Sequence, residues 1–364
     1  MNNCGSVEAF IANGGLRPIE NNESDDLFLT CASFEQRSTG LVSCMTSNYR
    51  VHQSVIYVNS EFRDLRGTQE SISLIESRLR GVSDNYMGLR LGSWGNAVDQ
   101  FRALREIIAP KGVRNEPARI TVDITTFNRE ALMACLALLH WAYPKGTVRL
   151  AYISPKEYNP AGKAAIRKLE LEGSTEQGQA KGMEQHLSAS EVQRHLWLSR
   201  GFRCLRNAIG FPGLQRQNLP ALLILLPGFE IERALTIVNA IEPVQVMLGK
   251  PTDATRDEFY ERSLEAKGQM VRLFKSRQPV CEFDFSCKSI DATAHAISDI
   301  AMKHYDSHNI YMTSLSTKPT LIALFLTALR LNRIQVTCSV PRDYNIDDYS
   351  TGMHQVSFFD LPRN

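Results

Sequence analysis

The feature that most constrains this chain is that it repeats itself. An apolar strand running into a small residue and then Phe-Glu occurs twice, as LFLTCASFEQRS with Phe34 and Glu35 and as ALLILLPGFEIER with Phe229 and Glu230, 195 residues apart. Further on, DITTFNREAL lies opposite MTSLSTKPTL, with Arg129 matching Lys318 at an offset of 189. VRLAYISPKEYNP then lies opposite IQVTCSVPRDYNI, pairing Pro155 with Pro341, Tyr158 with Tyr344 and Asn159 with Asn345 at an offset of 186. The matches keep their order while the offset shrinks, as loop-length differences between two copies of one fold would produce.

Each half alternates β-branched runs with helical patterns, which implies parallel sheets covered on both faces. In the first half we read strands at 27–31, 55–58, 87–91, 120–124 and 148–153, and helices at 38–45, 68–80, 97–108 and 130–143. In the second, strands are read at 221–226, 244–248, 282–285, 309–313 and 334–338, with a last one at 356–359; helices are read at 230–241, 256–275, 292–304 and 319–331. The predicted fold is α/β: two duplicated Rossmann-like lobes with mostly parallel sheets, 1–154 and 219–364, joined by a helical connector at 155–218. Within the connector, SASEVQRHLWLSRGFRCL reads as a helix capped by Ser188 or Ser190, with Glu191 in its first turn and a stripe of Leu196, Trp197 and Phe202.

Composition narrows the function. At 364 residues and 43% hydrophobic the chain can fill two cores, and 41 Lys+Arg against 39 Asp+Glu leave no global field to hold a polyanion. Nucleic acid is therefore not an expected partner, and any anion site must be local. The N-terminus MNNCGSVEAFIANGG has neither a basic start nor a long apolar run, and no stretch is long enough to cross a bilayer, so a cytoplasmic protein is expected. Eight cysteines without a C-x-x-C pair read as reduced core thiols, and no metal site or cofactor is expected. No G-x-G-x-x-G follows the first strand, and G-x-x-x-x-G-K-[ST] and G-x-S-x-G are both missing, which removes a dinucleotide fingerprint, a P-loop and a nucleophile elbow.

Ligands of open parallel sheets bind at the carboxyl ends of the strands, where helix N-termini point free N–H groups into a crevice. The repeated segments fall there. The first half offers Ser33, Glu35 and Arg37, then Asp123, Thr125, Thr126 and Arg129. The second offers Ser314, Ser316, Thr317 and Lys318, with Tyr344 after its last repeat. Hydroxyls and a lysine at a strand-to-helix turn can cap the helix and meet a phosphate oxygen together, and Pro319 suits the helix's first turn. Glu35 with Arg37, and Asp123 with Arg129, allow a local ion pair as readily as a ligand-facing role. Tyr158 and Tyr344 can stack on a base, on each other, or simply close a rigid turn.

The segment YMTSLSTKPTLIALFLTAL, about twenty residues, resembles the second ligand-binding motif of CARF-type domains, Rossmann-like sensors of cyclic oligonucleotides in prokaryotic antiviral systems. The resemblance implies phosphate or ribose contacts at Ser314, Ser316, Thr317 and Lys318. This copy lacks the paired glycines often found before the Thr-Lys. Three readings follow. The first is a sensor or scaffold binding a nucleotide-like or other phosphate-bearing molecule, as a homodimer and a component of such a defence system. The second is an enzyme acting on a nucleoside or nucleotide, with Glu35 or Asp123 as general base or nucleophile. The third is a structural protein docking a partner through the connector helix near Trp197.

Overall fold

The computed structural model describes residues 4–20, 24–176 and 196–361. Fifteen strands are formed by the described residues: β1 Cys4–Ser6, β2 Asp25–Ala32, β3 Val51–Asn59, β4 Ser83–Gly92, β5 Arg119–Asp123, β6 Thr147–Tyr158, β7 Ser199–Arg200, β8 Cys204–Asn207, β9 Ala221–Leu226, β10 Gln245–Pro251, β11 Val280–Phe285, β12 Asn309–Ser314, β13 Gln335–Val340, β14 Asp343–Tyr344 and β15 Ser350–Asp360. They build a seven-stranded sheet in the order β1-β15-β6-β5-β2-β3-β4, a six-stranded sheet in the order β11-β10-β9-β12-β13-β8, and the small pair β14-β7. Read from the opposite edge, the second sheet runs β8-β13-β12-β9-β10-β11, the order of the first from β15 to β4. In both, five consecutive strands are parallel and an antiparallel strand, β15 or β8, flanks them on one side, with β1 added beyond β15 in the first. The architecture is α/β with two Rossmann-like lobes.

Runs such as ALLILL in β9 are apolar throughout because each strand is covered on both faces, and five of its six residues are buried. Two helices, Arg129–Ala142 and Lys318–Arg330, are apolar on almost every side. They lie against each other between the sheets, where His140 meets Phe325 edge-on at 6.2 Å, in one core fed by both lobes. Each fully buried Leu or Phe there contributes roughly 1.5–3 kcal/mol. The two N-termini therefore start inside the molecule, at the carboxyl ends of β5 and β12.

Three expectations change. The sequence places the last strand with the second lobe, but β15 crosses back and pairs antiparallel with β6 of the first sheet. The matching edge of the second sheet is already taken by β8 on β13. The helix read over 188–205 lies partly outside the described residues, Ser188, Ser190 and Glu191 included. Its described part forms β7 and β8, whose backbones find partners on β14 and β13, with Gly201 at φ 65° turning the chain between them. The described helix of the connector is Pro160–Glu176. Finally, 38–45 forms only a 3-10 turn at Gln36–Thr39 and a single turn at Gly40–Ser43, with the Ser38 hydroxyl bonded to Ser33 O and Ser71 Oγ.

Among the described residues no helix is long and apolar enough to cross a membrane, and no group of His, Cys, Asp and Glu could hold a metal ion. Cys31, Cys44, Cys135, Cys287 and Cys338 are buried free thiols, whereas Cys204 is half-buried and Cys281 exposed, so these two are not core thiols.

Candidate functional site

The loops after β2, β5, β9 and β12 meet in one cleft between the lobes, at the place in each sheet where the strand order reverses. Gly228 permits the approach: a Cβ there would lie 2.2 Å from the Leu315 carbonyl oxygen. The cavity measures about 120 Å³. It is lined by Ser33, Glu35, Arg37, Thr125, Thr126, Arg129, Ser316, Thr317, Lys318 and Tyr344 among the residues expected from sequence. Asp123 and Ser314 lie behind its wall. Asp123 is buried, accepting from the Thr125 N–H at 3.0 Å and the Thr30 hydroxyl at 3.4 Å. Burial pushes its carboxyl up to about 6, against the pull of those hydrogen bonds. The Ser314 hydroxyl is shared with Thr320 at 2.7 Å and accepts from the Ser316 N–H.

Arg129 does not turn back to Asp123. As the first residue of its helix it points across the cleft, and its Nη2 donates to Leu315 O at 2.8 Å and Ser316 O at 3.1 Å. Lys318, first residue of the matching helix, donates to Phe127 O on the other side. Neither has a carboxylate partner among the described residues. Burial, reinforced by the Arg129 and Arg37 guanidiniums, pushes the Lys318 amine down to about 7. The hydroxyl cap expected on this helix is missing: Thr317 occupies the N-cap position but donates to Cys287 O at 3.0 Å, and no side chain caps the end. Asn128 does cap the other helix, accepting from the Ala131 N–H at 2.7 Å.

The two carboxylates of the repeat are occupied. Glu35 accepts from Arg37 Nε at 2.8 Å and from the Ser350 hydroxyl at 2.7 Å, while Arg37 Nη1 donates to Ile153 O. Glu230 accepts from Arg233 at 2.7 Å and from Ser199, while Arg233 Nη2 donates to Ser339 O. Ile153 and Ser339 are separated by the same 186 residues as Tyr158 and Tyr344. The buried pairs hold each loop against its neighbouring strand.

Aromatic rings wall the cleft, and each repeat tyrosine packs on the opposite lobe. Tyr158, at the end of β6, meets Phe229 at 5.6 Å and Phe259 at 5.0 Å; Tyr344 meets Phe62 at 5.7 Å and Trp94 at 5.5 Å. They do not stack on each other; Tyr349 stands near both, at 6.2 and 6.1 Å. Phe62, Trp94, Phe259 and Tyr349 carried no signal in the sequence, since nothing in their own segments shows what the other lobe brings. Arg206 on β8 fixes Trp94 by donating to Trp94 O and Gly95 O at 3.0 Å and pairing with Glu130 at 2.7 Å. The Trp197 carbonyl accepts from both repeat asparagines, Asn159 at 2.7 Å and Asn345 at 3.0 Å, and its ring lies under Arg200.

No protein-family model and no curated protein matches this chain. Among solved structures it is similar to a type III CRISPR defence DNA nuclease activated by cyclic oligoadenylate, with a TM-score of 0.49 and 13% identity over 91% of this chain and 68% of that one. A structure from work on converting a disulfide bond into a thioacetal group in echinomycin biosynthesis gives 0.21 at 14% identity over 56% and 72%. An adenylation, ketoreductase and pseudo-Asub structure from a keto acid-selecting NRPS module gives 0.21 at 12% over 90% and 30%. Likenesses of this size assign neither ligand nor activity.

Proposed function

We propose that this chain is a sensor or scaffold that binds a nucleotide-like, phosphate-bearing molecule in the cleft between two copies of one lobe. The observation that carries the reading is the pair Arg129 and Lys318. Two cations without carboxylate partners among the described residues start the two central helices and face one cavity, where the helix N-termini add partial positive charge. The aromatic wall suits a planar base, and the phosphate contacts expected at Ser316, Thr317 and Lys318 face the same space. A defence setting rests only on the resemblance of the Lys318 turn to CARF-type sensors. Catalysis by Glu35 or Asp123 is less well supported, because Glu35 is committed to Arg37 and Ser350 and Asp123 lies behind the wall.

A thermal-shift series with pyrophosphate, ATP and the common nucleotides tests the reading. Binding to the folded state raises stability by RT ln(1 + [L]/Kd), about 2.7 kcal/mol at a hundredfold excess over Kd. A folded protein that none of these ligands stabilises would overturn it. Consumption of a nucleotide by wild type but not by Glu35→Gln or Asp123→Asn would favour the enzyme.

A further inference from the structure

Lys318 differs from the lysines that the fold pairs. Lys163 sits between Glu157 and Glu258, and Lys267 is held by Glu282. The Lys318 amine has no carboxylate at ion-pair distance among the described residues, and it donates to a backbone carbonyl, Phe127 O. Two guanidiniums, of Arg129 and Arg37, line the same cavity. Arg129 is hydrogen-bonded to Leu315 O and Ser316 O, and Arg37 to Glu35 and Ile153 O, which keeps both in the wall of the cleft. Partial burial removes water that would stabilise the ammonium form, and the neighbouring cations penalise it further, the two conditions that turn a lysine into a nucleophile at neutral pH. Its depressed proton affinity agrees with this geometry. The side chain nevertheless lines the cavity, where a small molecule can reach it.

We propose that Lys318 is a carbonyl-reactive lysine: the cleft admits a small aldehyde, preferentially one that carries a phosphate, and Lys318 Nζ forms an imine with it. The nitrogen lone pair bonds to the carbonyl carbon while the C=O π pair moves to oxygen, and one N–H proton passes to that oxygen to give a carbinolamine. The hydroxyl then leaves with the second N–H proton as water, and C=N remains. No oxidant or reductant is consumed. The preference for phosphate rests on the anion reading above, with Arg129 as the second cation; the imine does not.

The test is reductive trapping on the intact chain at pH 7, with glycolaldehyde phosphate in one arm and glycolaldehyde in the other, cyanoborohydride as trap and peptide mapping of every lysine. With a pKa near 7 about half of Lys318 is neutral, against fewer than about one in a thousand of an ordinary lysine. Lys318 is therefore expected to label about tenfold or more faster than the exposed Lys111 and Lys275 in both arms. The phosphate arm should be the faster, and Lys318→Arg should lose the signal with its circular dichroism unchanged. Labelling of Lys318 no faster than that of Lys111 and Lys275 in both arms overturns the proposal. Fast labelling at equal rates in the two arms upholds the imine and counts against the phosphate reading instead.

Discussion

Arg129 and Lys318 exchange places across the cleft: Arg129 donates to the carbonyl of Ser316, and Lys318 to the carbonyl of Phe127, each two residues before the other cation in its own turn. Both pairs stand 189 residues apart in the chain. The strongest charges of the cleft are thus spent on neutral carbonyls of the opposite lobe. A phosphate offers either cation a full opposite charge where the carbonyl offers only a dipole, so a bound anion competes for these side chains and changes how the lobes are tied.

The buried pairs Glu35–Arg37 and Glu230–Arg233 predict an asymmetric response to mutation. Arg233→Met leaves Glu230 buried without its partner and should cost about 3–5 kcal/mol. Adding Glu230→Gln should recover a large part of that loss. Urea denaturation of the three proteins checks this, and equal stabilities for the single and double variants would contradict it.

Asp123 predicts a stability change with a definite sign. Its folded-state pKa, about 6, lies above the ordinary 3.8, so the folded chain holds this proton more tightly than the unfolded one. The folded state is therefore penalised as pH rises from about 4 to about 6, and the penalty is complete above that. Asp123→Asn keeps an acceptor for the Thr125 N–H and carries no charge. It is expected to raise stability at pH 8 by up to about 3 kcal/mol and to change little at pH 4. Denaturation at the two pH values reads this directly.

Lys318 shifts the opposite way. Its amine, near 7 when folded and near 10.5 when unfolded, makes folding release a proton, so the destabilisation is complete below about 7 and relieved as pH rises toward 10.5. An anion in the cleft favours the ammonium form, so binding takes that proton back. Sulfate, which does not titrate here, should bind most tightly below pH 7 and weaken by up to about tenfold per unit above it. In Lys318→Met that slope should vanish, which calorimetry across pH 6–9 can show.

The sheets were legible because their strands are buried on both faces and read as apolar runs; β2, β5, β9 and β12 fall where such runs stand. The turns at Arg129 and Lys318 were legible because the repeat marks them. The partner of Arg129 was not: sequence proximity suggests Asp123, but the helix start directs the side chain across the cleft to Leu315. Nor was the aromatic wall, since Trp94 is fixed by Arg206 more than a hundred residues away and packs on Tyr344 from the far end of the chain. The closing strand β15 carries the alternation of a strand, but its own residues do not reveal which of two similar sheet edges is vacant.

Calorimetric titration of pyrophosphate and ATP into wild type, Arg129→Met and Lys318→Met at pH 6.5 tests the central claim most directly. Binding in the wild type and at least about tenfold weaker binding in each variant is the predicted result, since each removes one charge-assisted contact of roughly 1.5–3 kcal/mol. Equal affinity in all three proteins, each shown to be folded, would contradict it.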